Sequence, residues 1–84
     1  MSEQVLAFIG AGNMASSLIS GLVRDGYPPQ RIHVSDIDPV QRSTLAERLG
    51  VLTFESNTQA VEHASILILA VKPQLAKPVL LELQ

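Results

Sequence analysis

Apolar residues follow two rhythms in this chain: short continuous runs alternate with stretches in which apolar positions recur at helical spacing. The run Val5-Leu6-Ala7-Phe8-Ile9 predicts a strand over Gln4–Ile9, apolar throughout as a parallel strand buried on both faces is. Met14, Leu18 and Leu22, with Ile19 and Val23 beside them, predict a helix over Asn13–Asp25; Ser16, Ser17, Ser20 and Arg24 fall on its other side. Gly26 stands where a helix C-terminal cap belongs. Tyr27-Pro28-Pro29-Gln30 predicts a loop, because paired prolines stop regular structure. Arg31–Ser35 is a second strand. Asp38 then caps a second helix, with Pro39 at its first position and Gln41 placed to complete a capping box. Leu45 and Leu49 form that helix's buried stripe, and Gly50 ends it. Val51–Phe54 is a short third strand. Ser56–His63 is a short helix capped by Ser56 or Asn57, and Ser65–Val71 is a fourth strand, a continuous apolar run after Ser65. Pro73 and Pro78 bracket the start of a last helix that carries Val79, Leu80 and Leu83.

Strand–helix alternation with short connections is the α/β pattern, and the expected architecture is a parallel sheet of order 3-2-1-4 with flanking helices. No internal repeat, low-complexity segment or linker interrupts it. The chain supplies the first half of a doubly wound fold, one further strand and a helix. It therefore reads as truncated before the second half, with strand four as an apolar edge able to pair with another chain.

The turn after strand one carries the chemistry. Gly10-Ala11-Gly12-Asn13-Met14-Ala15 is a Gly-x-Gly-x-x-Ala sequence between a buried strand and a helix, the context in which it cradles a dinucleotide pyrophosphate. Gly10 permits the tight turn, Gly12 lets backbone approach the phosphates, and Ala15 lets helix and strand pack closely. The helix N-terminus adds free N–H groups and the positive end of its dipole. These features make the fold Rossmann-type.

Asp36 follows Gly12 at about the ~20-residue offset of an acid that bonds a ribose hydroxyl, which favours NAD. Ser35 beside it, and Arg42 one turn beyond Asp38, offer contacts to an added phosphate and keep NADP open. Asp38 is read as a helix cap. Asn57 is either a cap or a ligand contact. Lys72 and the rigid Pro73 follow a buried strand at its C-terminal end, where ligands bind in such sheets. His33 and His63 lack partners at metal spacing, so a metal site is not expected.

The bulk numbers narrow the class. The chain has 84 residues and a net charge of −2, without a basic run, so one domain is expected and nucleic acid is not an expected partner. It has no cysteine, which excludes disulfides and thiolate metal sites. No apolar run reaches the roughly 20 residues of a membrane span. Met1-Ser2-Glu3-Gln4 lacks the positive start of a signal peptide, so the expected setting is cytoplasmic.

Three pieces together resemble one family. Phe8-Ile9-Gly10-Ala11-Gly12-Asn13-Met14-Ala15, the pair Ser56-Asn57, and Leu69-Ala70-Val71-Lys72-Pro73-Gln74 are similar to the N-terminal domain of pyrroline-5-carboxylate reductases. The last segment is the more specific, since many dehydrogenases share the glycine turn. The resemblance covers essentially the whole chain, and it implies a partial NAD(P)-binding domain over 1–84. A C-terminal helical domain for substrate and dimerisation would then be absent, and the piece inactive alone. The implied reaction is hydride transfer from NADPH or NADH to the C=N bond of pyrroline-5-carboxylate, giving proline, in a homo-oligomeric enzyme. The resemblance also implies cofactor contacts along Ile9, Gly10, Ala11, Gly12, Asn13 and Met14 at the pyrophosphate. Ser35 and Asp36 would lie at the adenosine ribose, Asn57 at the adenine end, and Ala70, Val71, Lys72 and Pro73 towards the nicotinamide. No residue here is expected to be catalytic.

Two kinds of alternative remain. One is another NAD(P)-dependent dehydrogenase, of the hydroxyacid or phosphogluconate type. The other is a nucleotide-sensing module that binds without turnover. An adenosyl-methionine methyltransferase also uses a glycine turn and a ribose acid, but leaves Ala70-Val71-Lys72-Pro73 without a role.

Overall fold

Four short strands make one parallel sheet in the computed structural model, which describes residues 4–84. The Met1-Ser2-Glu3 start, read above for leader character, lies outside the described residues. The strands are β1 (Leu6–Ile9), β2 (Ile32–Ser35), β3 (Leu52–Phe54) and β4 (Ile66–Leu69). Their order is β3-β2-β1-β4, as expected from the alternation. Helices α1 (Asn13–Arg24), α2 (Pro39–Leu49), α3 (Asn57–Val61) and α4 (Pro73–Glu82) alternate with them. Pro29–Arg31 forms a 3-10 turn inside the segment expected to be loop.

Register ties the central strands together: Phe8 of β1 pairs with Val34 on one side and with Ile68 on the other. Leu6 and Phe8 join Ala15 and Ile19 of α1, Leu45 of α2, and Ile32, Val34 and Val51 in one core. Ala7 and Ile9, at the alternate positions of β1, are also buried, and α3 packs on the strands with Ala60 fully buried. The sheet is thus apolar on both faces at β1, which is why that run does not alternate.

The helix faces differ in part from the periodicity. The buried residues of α1 are Ala15 and Ile19, with Leu22 and Val23 packed beside them. Met14 and Leu18 are 57% and 50% exposed. The ladders 14-18-22 and 15-19-22 share Leu22 and differ by one position, so spacing alone does not choose between them.

The helix ends follow their sequence signals. Gly26 has φ +102; its N–H meets the Val23 carbonyl, and the Tyr27 N–H meets that of Leu22, a Schellman ending. Asp38 caps α2 by accepting the Val40 N–H at 2.9 Å. The other half of the expected box does not form. The Asp38 N–H goes to Asp36 Oδ1 at 2.8 Å, and Gln41 Oε1 is left buried without a partner. Ser56, rather than Asn57, caps α3 through the Gln59 N–H. Pro78 lies within α4 instead of ahead of it.

In β4, Ile66 and Leu67 are 42% and 39% exposed, and the strand pairs only with β1 among the described residues, so it is the expected apolar edge. No helix among the described residues is long and apolar enough to cross a membrane.

Candidate functional site

The glycine turn is held from two directions. Gly10 has φ +108, and a Cβ there would lie 2.5 Å from the Ala70 carbonyl oxygen. Its N–H donates to the Ser35 carbonyl at 2.8 Å, and the Ala70 N–H donates to the Ile9 carbonyl at 2.8 Å. The turn is therefore wedged between the ends of β2 and β4, at a separation only glycine permits. Asp36 supplies the second hold. Its Oδ2 accepts the Ala11 N–H at 2.8 Å while its Oδ1 accepts that of Asp38. One carboxylate, in charge-assisted bonds, thus joins the glycine turn to the lead-in of α2.

Gly12 is different. Beyond its own chain neighbours, no atom lies within 4 Å of a Cβ built on it, so space rather than close packing surrounds this position. It is the N-cap of α1, where no side chain caps the helix and no acid occupies the first turn. The intrahelical ladder begins with the Ser16 N–H on the Gly12 carbonyl. An α-helix leaves its first N–H groups unpaired, and uncapped they suit an anion.

Two cavities flank the turn. One, of about 200 Å³, lies at the C-terminal ends of the strands and is lined by Ile9, Gly10, Ser35, Asp36, Ile37, Asn57, Val71, Leu75 and Val79. The other, of about 370 Å³, lies between α1 and α2 and is lined by Ala11, Gly12, Asn13 and Ser16 on one side and by residues of α2, including Gln41, Thr44 and Arg48, on the other. Arg48 Nη1 reaches Ser16 Oγ at 3.4 Å across it.

Of the residues singled out from sequence, nine line one cavity or the other: Ile9, Gly10, Ser35, Asp36, Asn57 and Val71 in the first, Ala11, Gly12 and Asn13 in the second. Ala70 forms the backstop of Gly10. Met14, Lys72 and Pro73 line neither cavity. Arg42 does not line the space beside the turn; its Nε is buried without a partner, and Arg48, further along α2, takes that wall.

Sequence reasoning missed Ile37, Leu75, Val79 and Arg48. Leu75 and Val79 are four apart on α4, a spacing that marks a shared helix face but not what the face covers. Ser35 is fully buried, and its hydroxyl donates to Asn57 Oδ1 at 2.6 Å. Asn57 Nδ2 in turn donates to Glu82 Oε1 at 3.1 Å. His33 stacks at a tilt on Phe54, with ring centroids 5.3 Å apart, and His63 is exposed in the turn after α3. The described residues contain no cluster of three or more side chains able to hold a metal.

Known proteins are similar to this chain in sequence and in fold. A pyrroline-5-carboxylate reductase of Pseudomonas aeruginosa is 47% identical over 79 residues, which cover 94% of this chain and 29% of that protein. A solved pyrroline-5-carboxylate reductase from Coxiella burnetii superposes with a TM-score of 0.95 at 38% identity, over 98% of this chain and 30% of that one. A Plasmodium falciparum pyrroline carboxylate reductase solved with NADP bound has a TM-score of 0.81 at 24% identity, over 99% of this chain and 29% of that one, a likeness of fold. The chain thus spans less than a third of the length of these relatives. The model of one family, described as NADP oxidoreductase coenzyme F420-dependent, matches residues 5–84, and the chain belongs to that family.

Proposed function

We propose that this chain is the NAD(P)H-binding portion of a cytoplasmic pyrroline-5-carboxylate reductase. Residues 1–84 form its N-terminal domain, and a further helical domain supplies the substrate site and the homo-oligomer contacts. The observation that carries the reading is the contrast between the two glycines. Gly10 is wedged against the Ala70 backbone, while Gly12 opens onto empty space at an uncapped helix N-terminus. A turn built only for packing has no use for the second feature. An open, donor-rich approach of this kind fits a pyrophosphate.

In this reading the pyrophosphate sits on the uncapped N–H groups of Gly12, Asn13 and Met14 at the start of α1, while Gly10 and Ala11, whose N–H groups are taken by Ser35 and Asp36, shape the turn beneath it. The cavity walled by Ser35, Asp36 and Asn57 takes the adenosine. The carboxylate of Asp36 retains lone pairs for a ribose hydroxyl after accepting its two backbone N–H groups. Ala70, Val71, Lys72 and Pro73 lead towards the nicotinamide. The bound dinucleotide supplies a hydride for the C=N bond of pyrroline-5-carboxylate, and the chain's own residues bind and orient it. The likeness in sequence and fold to pyrroline-5-carboxylate reductases supports that substrate class.

Calorimetric titration with NADPH and with NADH tests the proposal. Micromolar binding to either is expected, and the tighter partner reports how the Asp36 carboxylate treats a 2′-phosphate. No heat of binding from a sample shown to be folded overturns the dinucleotide reading.

A further inference from the structure

Ser35 is the only polar side chain among the buried residues described, and burying a hydroxyl without a partner is costly. Its partner is specific. The Ser35 hydroxyl donates to Asn57 Oδ1, which leaves the Asn57 Nδ2 group on the other side of the amide. There Glu82 Oε1 accepts one of its two N–H bonds. The three residues come from β2, the first turn of α3 and the last turn of α4. The amide has one orientation because the Glu82 carboxylate can only accept and so takes the NH₂ end, which leaves Oδ1 to accept from the Ser35 hydroxyl.

This relay does two further things. Asn57 lines the cavity at the strand ends, so the second Nδ2 hydrogen remains for whatever enters. Glu82 also fastens α4, which has no buried residue of its own, and α4 contributes Leu75 and Val79 to the same cavity. An exposed carboxylate near the C-terminal end of a helix opposes the helix dipole, so its position there needs another reason. The contact with Asn57 is such a reason.

We propose that Ser35 and Glu82 are positioning residues: together they lock the Asn57 amide as an N–H donor to the nucleoside end of the dinucleotide and hold α4 as the wall of that cavity. The proposal rests on the dinucleotide reading above. It also assigns Ser35 a part in the site without direct contact with the ribose or its phosphate.

The test combines a measurement without ligand and one with it. In nitrogen-15 NMR of the free chain, the Asn57 side-chain NH₂ pair is expected to be dispersed and protected from exchange. It is expected to move to averaged, solvent-like positions in Ser35→Ala and in Glu82→Ala. Glu82→Gln, which keeps an acceptor oxygen, is expected to restore it. An averaged Asn57 signal in the unaltered chain overturns the proposal, whatever binds. Calorimetry with ADP-ribose and with NADPH then reads the consequence. Ser35→Ala and Glu82→Ala are each expected to weaken both ligands by the same factor, about three- to tenfold, the size of one neutral hydrogen bond. The double variant should be no weaker than the worse single one, because both act through one amide. Unchanged affinity in both single variants overturns the proposal. Glu82 is exposed, so its variants leave the buried core intact. If the unaltered folded chain binds neither ligand, the dinucleotide reading fails and the donor role fails with it, while the NMR signal still decides the lock.

Discussion

Replacing Gly10 by Ala tests the wedge on which the site geometry depends. The added Cβ would stand 2.5 Å from Ala70 O, 3.0 Å from Ala70 C and 3.2 Å from Val71 Cγ1. Two of these are backbone atoms at the end of β4, so no rotamer change relieves the contact. The residue would also have to keep φ +108, which an L side chain rarely adopts. Strain of that kind costs about 1–3 kcal/mol, and overpacking against a fixed wall adds about 1–3 kcal/mol. The sum is about 2–6 kcal/mol. Against it stands a total stability of about 0.05–0.15 kcal/mol per residue, or roughly 4–13 kcal/mol for 84 residues. Gly12→Ala is the control. Gly12 has φ −79 and no neighbour within 4 Å of the new methyl, so it should lose no more than about 1 kcal/mol, as a poorer cap. Urea unfolding followed by far-ultraviolet circular dichroism separates the two. With a slope near 1 kcal/mol per molar, Gly10→Ala should lower the midpoint by about 2 M or more, and Gly12→Ala by less than about 1 M. A Gly10→Ala midpoint equal to that of Gly12→Ala would refute the wedge.

Five other substitutions have expected outcomes. Gly12→Ala, folded, should bind NADPH at least tenfold more weakly in calorimetry, because its methyl enters the space assigned to the phosphates (about 1.4 kcal/mol). Asp36→Asn sets an NH₂ group against one of two backbone N–H donors, and should cost about 1–3 kcal/mol in thermal or urea unfolding, even without cofactor. Asp38→Ala removes the cap on Val40 N–H and should cost about 0.5–2 kcal/mol, with loss of helical ellipticity. Leu45→Ala, at a site 2% exposed, should cost about 2–5 kcal/mol; Ile37→Ala, at 84% exposure, should stay within about 0.5 kcal/mol of wild type in the same assay.

The sequence by itself determined the elements, their order and the kind of turn at the centre. These are local matters: an apolar run long enough for a strand, a proline or glycine at a helix end, and two glycines placed after a buried strand. Sheet order followed as well, because right-handed parallel crossovers leave few ways to connect strands of this length. Tertiary structure decided the rest. Two neighbouring ladders on α1 fit the pattern equally, and packing chose Ala15 and Ile19 over Met14 and Leu18. Gln41 had the spacing of a capping box, but Asp36 reached the Asp38 N–H first. Arg42 and Arg48 are both basic residues of α2, and the packing of α2 beside α1 brings Arg48 to the glycine turn, where it reaches Ser16. Ser35, Asn57 and Glu82 lie on three elements far apart in the chain, and their hydrogen bonds exist only once the strand ends and α4 converge. Local rules act over a few residues, whereas a site at the ends of several strands is made by the distances between them.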